Sequence, residues 1–329
     1  MKFTVALIYG GEGFEHEISL IGAKNLSNMI DCLAYDVIPV FISKSGEWFI
    51  EKGKERIPVF PAYIYGKSGL FANGKILPID VAVPLLHGDF GEDGIITGLL
   101  KAAHIKFVGC EVLAGAVCSD KIVTKFICDA LKIPTARWTF SSAENSDEVA
   151  DNAEKMLGYP MFIKPASLGS SIGISKVFNR EEFSEGYKKA HKLCPRILIE
   201  EAVSVKKELE CAYLGADGKN YFKTGKILSG GEFYDFDKKY RIETKTEAFI
   251  SDTATEKAIT DMADKLRLAI GTRQISRFDF FLTEDDRILF NEINTFPGMT
   301  ETSLYPSLTV EMGFSNGEFI NRLISEALL

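Results

Sequence analysis

The residue types best suited to chemistry lie near the C-terminal end, in Arg277-Phe-Asp279 and in Asn291-Glu292-Ile-Asn294. Their surroundings predict two strands, Ile275–Thr283 and Arg287–Asn294, joined through Glu284-Asp285-Asp286 as a hairpin turn. Successive side chains of a strand point to opposite faces, so Arg277 and Asp279 share one face while Phe278 and Phe280 take the other. Glu292 and Asn294 likewise share a face, with Ile293 opposite. When the two strands pair, one sheet face presents two carboxylates, an amide oxygen and a guanidinium. Such a hard-oxygen set suits Mg²⁺ bound together with nucleotide phosphates. A solvated polar face whose charges pair off alternates in the same way. The Thr295-Phe-Pro-Gly298-Met-Thr turn that follows favours the metal reading, because it brings backbone N–H groups alongside.

A second candidate is Lys164-Pro-Ala-Ser-Leu-Gly169-Ser170-Ser171-Ile-Gly173-Ile, a strand ending in lysine, then a Gly/Ser-rich loop, then another strand. Backbone donors and the lysine charge would let such a loop close over phosphates, although a plain hairpin reads the same way. Next comes the apolar run Ile197–Val203 bearing Glu200 and Glu201, then Glu208. A strand edge there could read an adenine, with a carboxylate such as Glu208 on ribose hydroxyls. The common nucleotide motifs are missing. Gly10-Gly11-Glu12-Gly13 follows a strand, but His16 stands where the third glycine of a dinucleotide fingerprint belongs, and the second strand ends in Ser43-Lys44 instead of a carboxylate. Gly66-Lys67-Ser68 resembles the tail of a P-loop, but Pro61 occupies its first glycine position.

The elements that must position these groups fall into three parts. Over the first hundred residues strand and helix alternate: Thr4–Tyr9, a helix from about Glu17, Asp36–Ser43, Ile79–Leu86, a helix Glu92–Ala103 and Lys106–Val108. That rhythm predicts an open, mainly parallel sheet with ligands at the strand C-termini. From Cys110 the texture changes to a helix, Ser119–Lys132, stopped by Pro134, and then short strands separated by helices. The chain has 329 residues, a net charge of −8 and no Lys/Arg-rich block, so a nucleic-acid partner is not expected. No window of about 18 apolar residues offers a membrane span. The N-terminal apolar stretch is too short for a signal peptide core and lacks a small-residue cleavage site. The six scattered cysteines read as reduced thiols of a cytosolic protein.

Taken in order, Lys121, Lys164 with its glycine loop, Glu200–Val203, Glu208 and the set Asp279/Glu292/Asn294 resemble the ATP-grasp ligases. Several further stretches are similar to the D-alanine–D-alanine ligases across nearly the whole chain: Gly10-Gly11…Glu15-His16-Glu17-Ile-Ser-Leu, Leu86-His87-Gly88…Gly91-Glu92-Asp93-Gly94, Ser119-Asp120-Lys121, Phe233-Tyr-Asp…Lys239-Tyr240 and Asn291-Glu-Ile-Asn294-Thr-Phe-Pro-Gly298-Met-Thr…Ser303-Leu304. The resemblance implies an α/β, three-lobed ATP-grasp fold with an N-terminal parallel-sheet (Rossmann-like) domain at 1–109, a central domain at 110–203 and a C-terminal domain at 204–329 carrying the metal site and a lid.

It also implies roles. Glu17 would bind the ammonium of the first D-alanine, with Ser170 and Tyr240 as its hydrogen-bonding partners and His87 close to that substrate. Lys121, Lys164 and Lys239 would neutralise phosphate charge, with Ser170, Ser171, Glu200, Glu201, Val203 and Glu208 completing the ATP site. Asp279, Glu292 and Asn294 would hold two Mg²⁺ ions, with Mn²⁺ able to substitute. Arg277 and the Gly298 N–H would stabilise the tetrahedral intermediate, and Ser303 with the Leu304 backbone would hold the second D-alanine. The segment near Gly230–Ile250 is too long for a connector and is expected to act as a lid. The implied protein is a cytoplasmic homodimer that supplies a peptidoglycan precursor and engages neither membrane nor nucleic acid. A D-serine acceptor and a non-catalytic ATP-binding regulatory protein are the alternatives; the presence of every metal and arginine group argues against the latter. Three departures touch no chemical group: Ser119 where the family often has methionine, no proline after Glu247, and one extra residue in Val205–Glu208.

Overall fold

A computed structural model describes residues 2–53, 55–228, 245–248, 253–315 and 317–329. The first lobe contains β1 (Phe3–Gly10), α1 (His16–Met29), β2 (Tyr35–Ile42), β3 (Trp48–Lys52), β4 (Glu55–Pro58), β5 (Phe60–Ile64), β6 (Lys67–Ala72), β7 (Lys75–Pro78), β8 (Val81–Leu85), α2 (Ile95–Ala102) and β9 (Lys106–Phe107). Its main sheet runs β4-β3-β2-β1-β8-β9. The pairs β1–β2, β1–β8 and β8–β9 are parallel, as the alternation of strand and helix predicts. In β1 the consecutive residues Val5, Ala6, Leu7 and Ile8 are all buried, which is how a strand covered on both faces reads.

The stretch between β2 and β8 departs from the expected pattern. β3 and β4 extend the sheet antiparallel, and β5, β6 and β7 form a separate antiparallel sheet. Gly66-Lys67-Ser68 lies at the β5–β6 hairpin, where Tyr65 and Gly66 both have positive φ, so the likeness to a P-loop is a turn. Asn73-Gly74 turns β6 into β7 with the same backbone signs.

The second lobe begins with α3 (Val112–Ser119) and α4 (Lys121–Leu131), followed by β10 (Trp138–Ser141), α5 (Ser146–Met156), β11 (Met161–Pro165), β12 (Ser175–Val177), α6 (Arg180–His191) and β13 (Ile197–Glu201). The expected helix 119–132 therefore starts at Lys121. Asp120 is extended (φ −96°, ψ 102°), and its carboxylate caps α4 by accepting from the Val123 N–H. The antiparallel sheet β10-β13-β11-β12 packs Met161, Ile163, Ile197 and Ile199 against Val149, Phe183 and Tyr187 of α5 and α6.

The third lobe holds β14 (Val205–Ala216), β15 (Lys219–Leu228), β16 (Lys245–Ala248), α7 (Thr253–Ile270), β17 (Ile275–Thr283), β18 (Ile288–Asn294), α8 (Leu304–Glu311) and α9 (Glu318–Leu328). Its sheet order is β16-β15-β14-β17-β18. On one face Leu209, Cys211, Phe278 and Phe280 pack on Ile259, Ala263 and Leu266 of α7, and on Ala114, Cys118 and Cys128 of α3 and α4. A second core joins Leu7 and Leu85 of the first lobe to Leu304, Tyr305, Phe319 and Leu323 of the third. These shared cores lock the lobes around a common cleft. All six cysteines are free thiols. Among the described residues no helix is long and apolar enough to cross a membrane.

Candidate active site

A cleft of about 380 Å³ is walled by Glu15, His87 and Glu92 from the first lobe, Lys121 and Leu168–Ser170 from the second, and Glu210, Arg277, Glu292, Asn294, Gly298, Ser303 and Leu304 from the third. Of the first-lobe acids lining it, Glu15, Asp89 and Glu92, the one at the start of α1 is Glu15. It sits at the N-cap of α1 and accepts a 2.5 Å hydrogen bond from Ser170 Oγ across the cleft. Two glycines make room for it. A Cβ on Gly88, whose φ is +66°, would stand 2.7 Å from Glu15 Oε2, and one on Gly169 would stand 3.3 Å away. Ser170 and Ser171 both have positive φ (50° and 60°), a backbone region costly for non-glycine residues and concentrated at functional sites.

Glu17 lies elsewhere. Two residues further along a helix is about 200° around its axis, so Glu17 faces away from Glu15. Its carboxylate pairs with Lys44 at 2.8 Å with both side chains 65% exposed, and that lysine holds Glu17 below the usual carboxylate range. The expectation for Glu17 is therefore corrected by position: of the two acids at the start of α1, the one facing the cleft is Glu15.

The lysines come from α4 and β11. Lys121 donates to the Leu168 carbonyl of the glycine loop at 2.6 Å and stands 4.0 Å from Glu292. Lys164, at the base of that loop, pairs with Glu200 at 2.6 Å. Glu200 also pairs with Lys125, which the sequence reading does not single out. Burial alone would push Glu200 up, but the two lysine charges and hydrogen bonds outweigh it and hold the carboxyl at about 2. The Glu200 side chain is thus turned inward. β13 is also an inner strand, with Glu200 paired to Trp138 on one side and Phe162 on the other. The Glu201 N–H donates to Arg137 O, and its carboxylate pairs with the Arg137 guanidinium at 2.6 Å. The open strand edge expected at Glu200 and Glu201 is therefore already occupied. Val203 lies just past the end of β13. Glu208 sits on β14 opposite Phe281, outside the residues lining the cleft. Lys239 and Tyr240 lie outside the described residues, as does the expected lid apart from β16.

The carboxylate face forms as the alternation predicts. Arg277 pairs with Asn294 and Asp279 with Glu292 across β17 and β18, and Asp279 also faces Glu210 of β14. Three carboxylates on three adjacent strands thus surround Arg277. Its fork donates to both Asp279 oxygens at 2.7 Å and lies 3.5 Å from Glu210, while Asn294 Nδ2 donates to Asp279 at 3.1 Å. Burial, with the Glu210 and Glu292 charges, raises the Asp279 pKa against the pull of Arg277.

Among the described residues no three His, Cys, Asp or Glu side chains converge as a ready-made metal cage. The surplus of carboxylates over cations nevertheless fits Mg²⁺. That ion is commonly held by one or two carboxylates completed by phosphates and water.

The remaining wall is backbone and hydroxyl. Ser303 stands at the N-cap position of α8 and lines the cleft with Leu304, the first residue of the helix, and its hydroxyl accepts from the Thr300 N–H at 3.1 Å. A Cβ on Gly298 would stand 2.9 Å from Ser303 Oγ, so the turn approaches the helix end only as glycine. His87 is buried in the first-lobe wall. Glu92, for which the sequence reading assigns no role, ties the lobes together by accepting from the Gly88 N–H at 2.9 Å and the Phe296 N–H at 3.4 Å. Desolvation, then the charge of Glu15, raises its pKa to about 7.

Two antiparallel-sheet lobes flanking a glycine- and serine-rich loop with Lys121 and Lys164 beside it, with a carboxylate face and a third α/β lobe alongside, define the ATP-grasp class of carboxylate–amine ligases. Models of the D-ala D-ala ligase N-terminus and C-terminus match residues 4–110 and 127–325. The chain belongs to the D-alanine–D-alanine ligase family, which uses ATP. It is 36% identical to the D-alanine--D-alanine ligase of Oceanobacillus iheyensis, covering 100% of this chain and 96% of that one. It is 37% identical to the ligase of Natranaerobius thermophilus, covering 99% and 95%. Among solved structures, the D-alanyl-alanine synthetase A of Vibrio cholerae superposes with a TM-score of 0.89 at 32% identity, covering 99% and 98%. The VanG D-Ala:D-Ser ligase of Enterococcus faecalis gives 0.89 at 30%, covering 99% and 100%.

Proposed function

We propose that this enzyme joins two molecules of D-alanine at the expense of ATP, through D-alanyl phosphate, giving D-alanyl-D-alanine, ADP and phosphate for peptidoglycan synthesis. The observation that carries this reading is the Glu15–Ser170 hydrogen bond, which sets an anionic ammonium receptor in the same cleft as Arg277 and the α8 N-terminus. Glu15 holds the ammonium of the first D-alanine, with Tyr240 completing the contact. The carboxylate of that substrate attacks the γ-phosphorus, and the P–O bond to ADP breaks. Lys121, Lys164 and Lys239 neutralise the phosphate charge, and the loop Ser170-Ser171 closes over it.

Asp279, Glu292 and Asn294 would hold two Mg²⁺ ions, replaceable by Mn²⁺, which would supply charge neutralisation at the phosphates. The second D-alanine lies with its carboxylate on Ser303 and the Leu304 N–H. Its neutral amine attacks the acyl carbon, Arg277 with the Gly298 N–H stabilises the oxyanion, and the acyl C–O bond then breaks, the departing phosphate taking the proton that the nitrogen sheds. Val203 and Glu208 serve the nucleoside, and His87 shapes the first-substrate pocket. The enzyme works in the cytoplasm as a homodimer, with small-molecule substrates only.

The likeness to VanG favours D-serine as a second acceptor to be tested. Phosphate release with ATP and Mg²⁺ is expected to require D-alanine, and mass spectrometry should find D-alanyl-D-alanine as the main product even with D-serine present. A dominant D-alanyl-D-serine product would reassign the acceptor. ATP binding without turnover in any mixture would leave a regulatory protein.

A further inference from the structure

Lys125 lies one helical turn after Lys121 on α4, so the two side chains share a face of the helix. Their environments differ. Lys121 reaches the glycine loop, whereas the Lys125 side chain is only 3% exposed and ends on one oxygen of Glu200. The other Glu200 oxygen holds Lys164 at 2.6 Å, and Glu200 is itself 5% exposed. Two ammonium groups therefore share one buried carboxylate, and the cluster carries an excess positive charge. Buried charge without a partner is costly, and an incoming anion relieves it.

We propose that Lys125 is a positioning residue for the nucleotide: by taking up half of Glu200 it keeps Lys164 from being neutralised and leaves its charge to act on the phosphates. The inference rests on reading Lys164 as a phosphate ligand. Without Lys125, Glu200 pairs with Lys164 alone. The pair becomes neutral, and the ammonium is drawn toward the carboxylate. Lys125→Met leaves that remaining ion pair satisfied and fills the space with an unbranched apolar chain, so the fold is retained.

The test is calorimetric titration of the full-length enzyme with Mg²⁺-ATP in the absence of amino acid, so that no turnover is needed. K125M is expected to weaken the Kd by about 10- to 100-fold, the range of one charge-assisted contact. In steady state the KM for ATP should rise while the KM for D-alanine stays within about twofold. The double variant K125M/E200Q frees Lys164 again, and its Kd should recover to within about threefold of the parent. A structural role for Lys125 would make the double variant weaker still. The proposal is overturned by a folded K125M that binds nucleotide like the parent, or by a double variant more than tenfold weaker than the parent. K164M separates the two readings: if it binds Mg²⁺-ATP normally, the assignment of Lys164 fails first.

Discussion

Arg277→Lys is expected to lower kcat by about 10²–10³-fold, the usual loss when one oxyanion donor is removed, with the KM for ATP within about threefold. The substitution keeps a charge but not the planar fork. In the structure the fork spends two donors on Asp279 and lies beside Glu210, which fixes its plane within the sheet face. A lysine pairs with one carboxylate at a time, so its ammonium shifts toward Asp279 or Glu210 and away from the acyl centre. Arg277→Ala removes the charge as well. It leaves Glu210, Asp279 and Glu292 close together with Arg277 gone, and breaking a buried pair of this kind costs about 3–5 kcal/mol. Urea unfolding of both variants separates the contributions: R277K should unfold near the parental midpoint and R277A well below it. Parental kcat in R277K would remove Arg277 from the reaction.

Glu15→Gln should reduce kcat/KM for the first D-alanine by about 10- to 100-fold, whereas Glu17→Gln should stay within about twofold. The contrast follows from placement. Glu15 is bonded by Ser170 inside the cleft, and losing its charge removes a charge-assisted contact of about 1.5–3 kcal/mol. Glu17 forms an exposed ion pair with Lys44, a type of pair that is worth little in water. Initial rates over a range of D-alanine at saturating ATP decide between them. Equal losses in the two variants would place both acids at the substrate.

That pair also shows where the sequence stops being legible. Glu15-His16-Glu17 offers two acids at the start of one helix, and which of them faces the cleft depends on where α1 begins. Helix ends are uncertain by a residue or two from pattern alone, and two residues turn a side chain to the far side. The carboxylate face was readable because a strand's period is fixed at two. Arg277 and Asp279 had to share a face, and the hairpin through Glu284-Asp285-Asp286 brought Glu292 and Asn294 beside them. The bulge between Asp279 and Phe280 left no such signal. Lys125, Glu210 and Glu92 were not read as functional because each acquires its meaning from partners far away in sequence. Lys125 looks like any polar residue of an amphipathic helix until Glu200 is folded against it. The hairpins between β2 and β8 were partly legible, since Asn73-Gly74 is a strong turn signal, but their strands are too short for alternation to stand out.

In the proposed reaction the carboxylate of one D-alanine attacks ATP before the peptide bond forms. Turnover with D-alanine labelled with ¹⁸O in its carboxyl group tests this most directly. Each inorganic phosphate released is expected to carry one ¹⁸O, since the acyl C–O bond breaks when the second amine attacks. Phosphate without ¹⁸O, formed alongside D-alanyl-D-alanine, would contradict it.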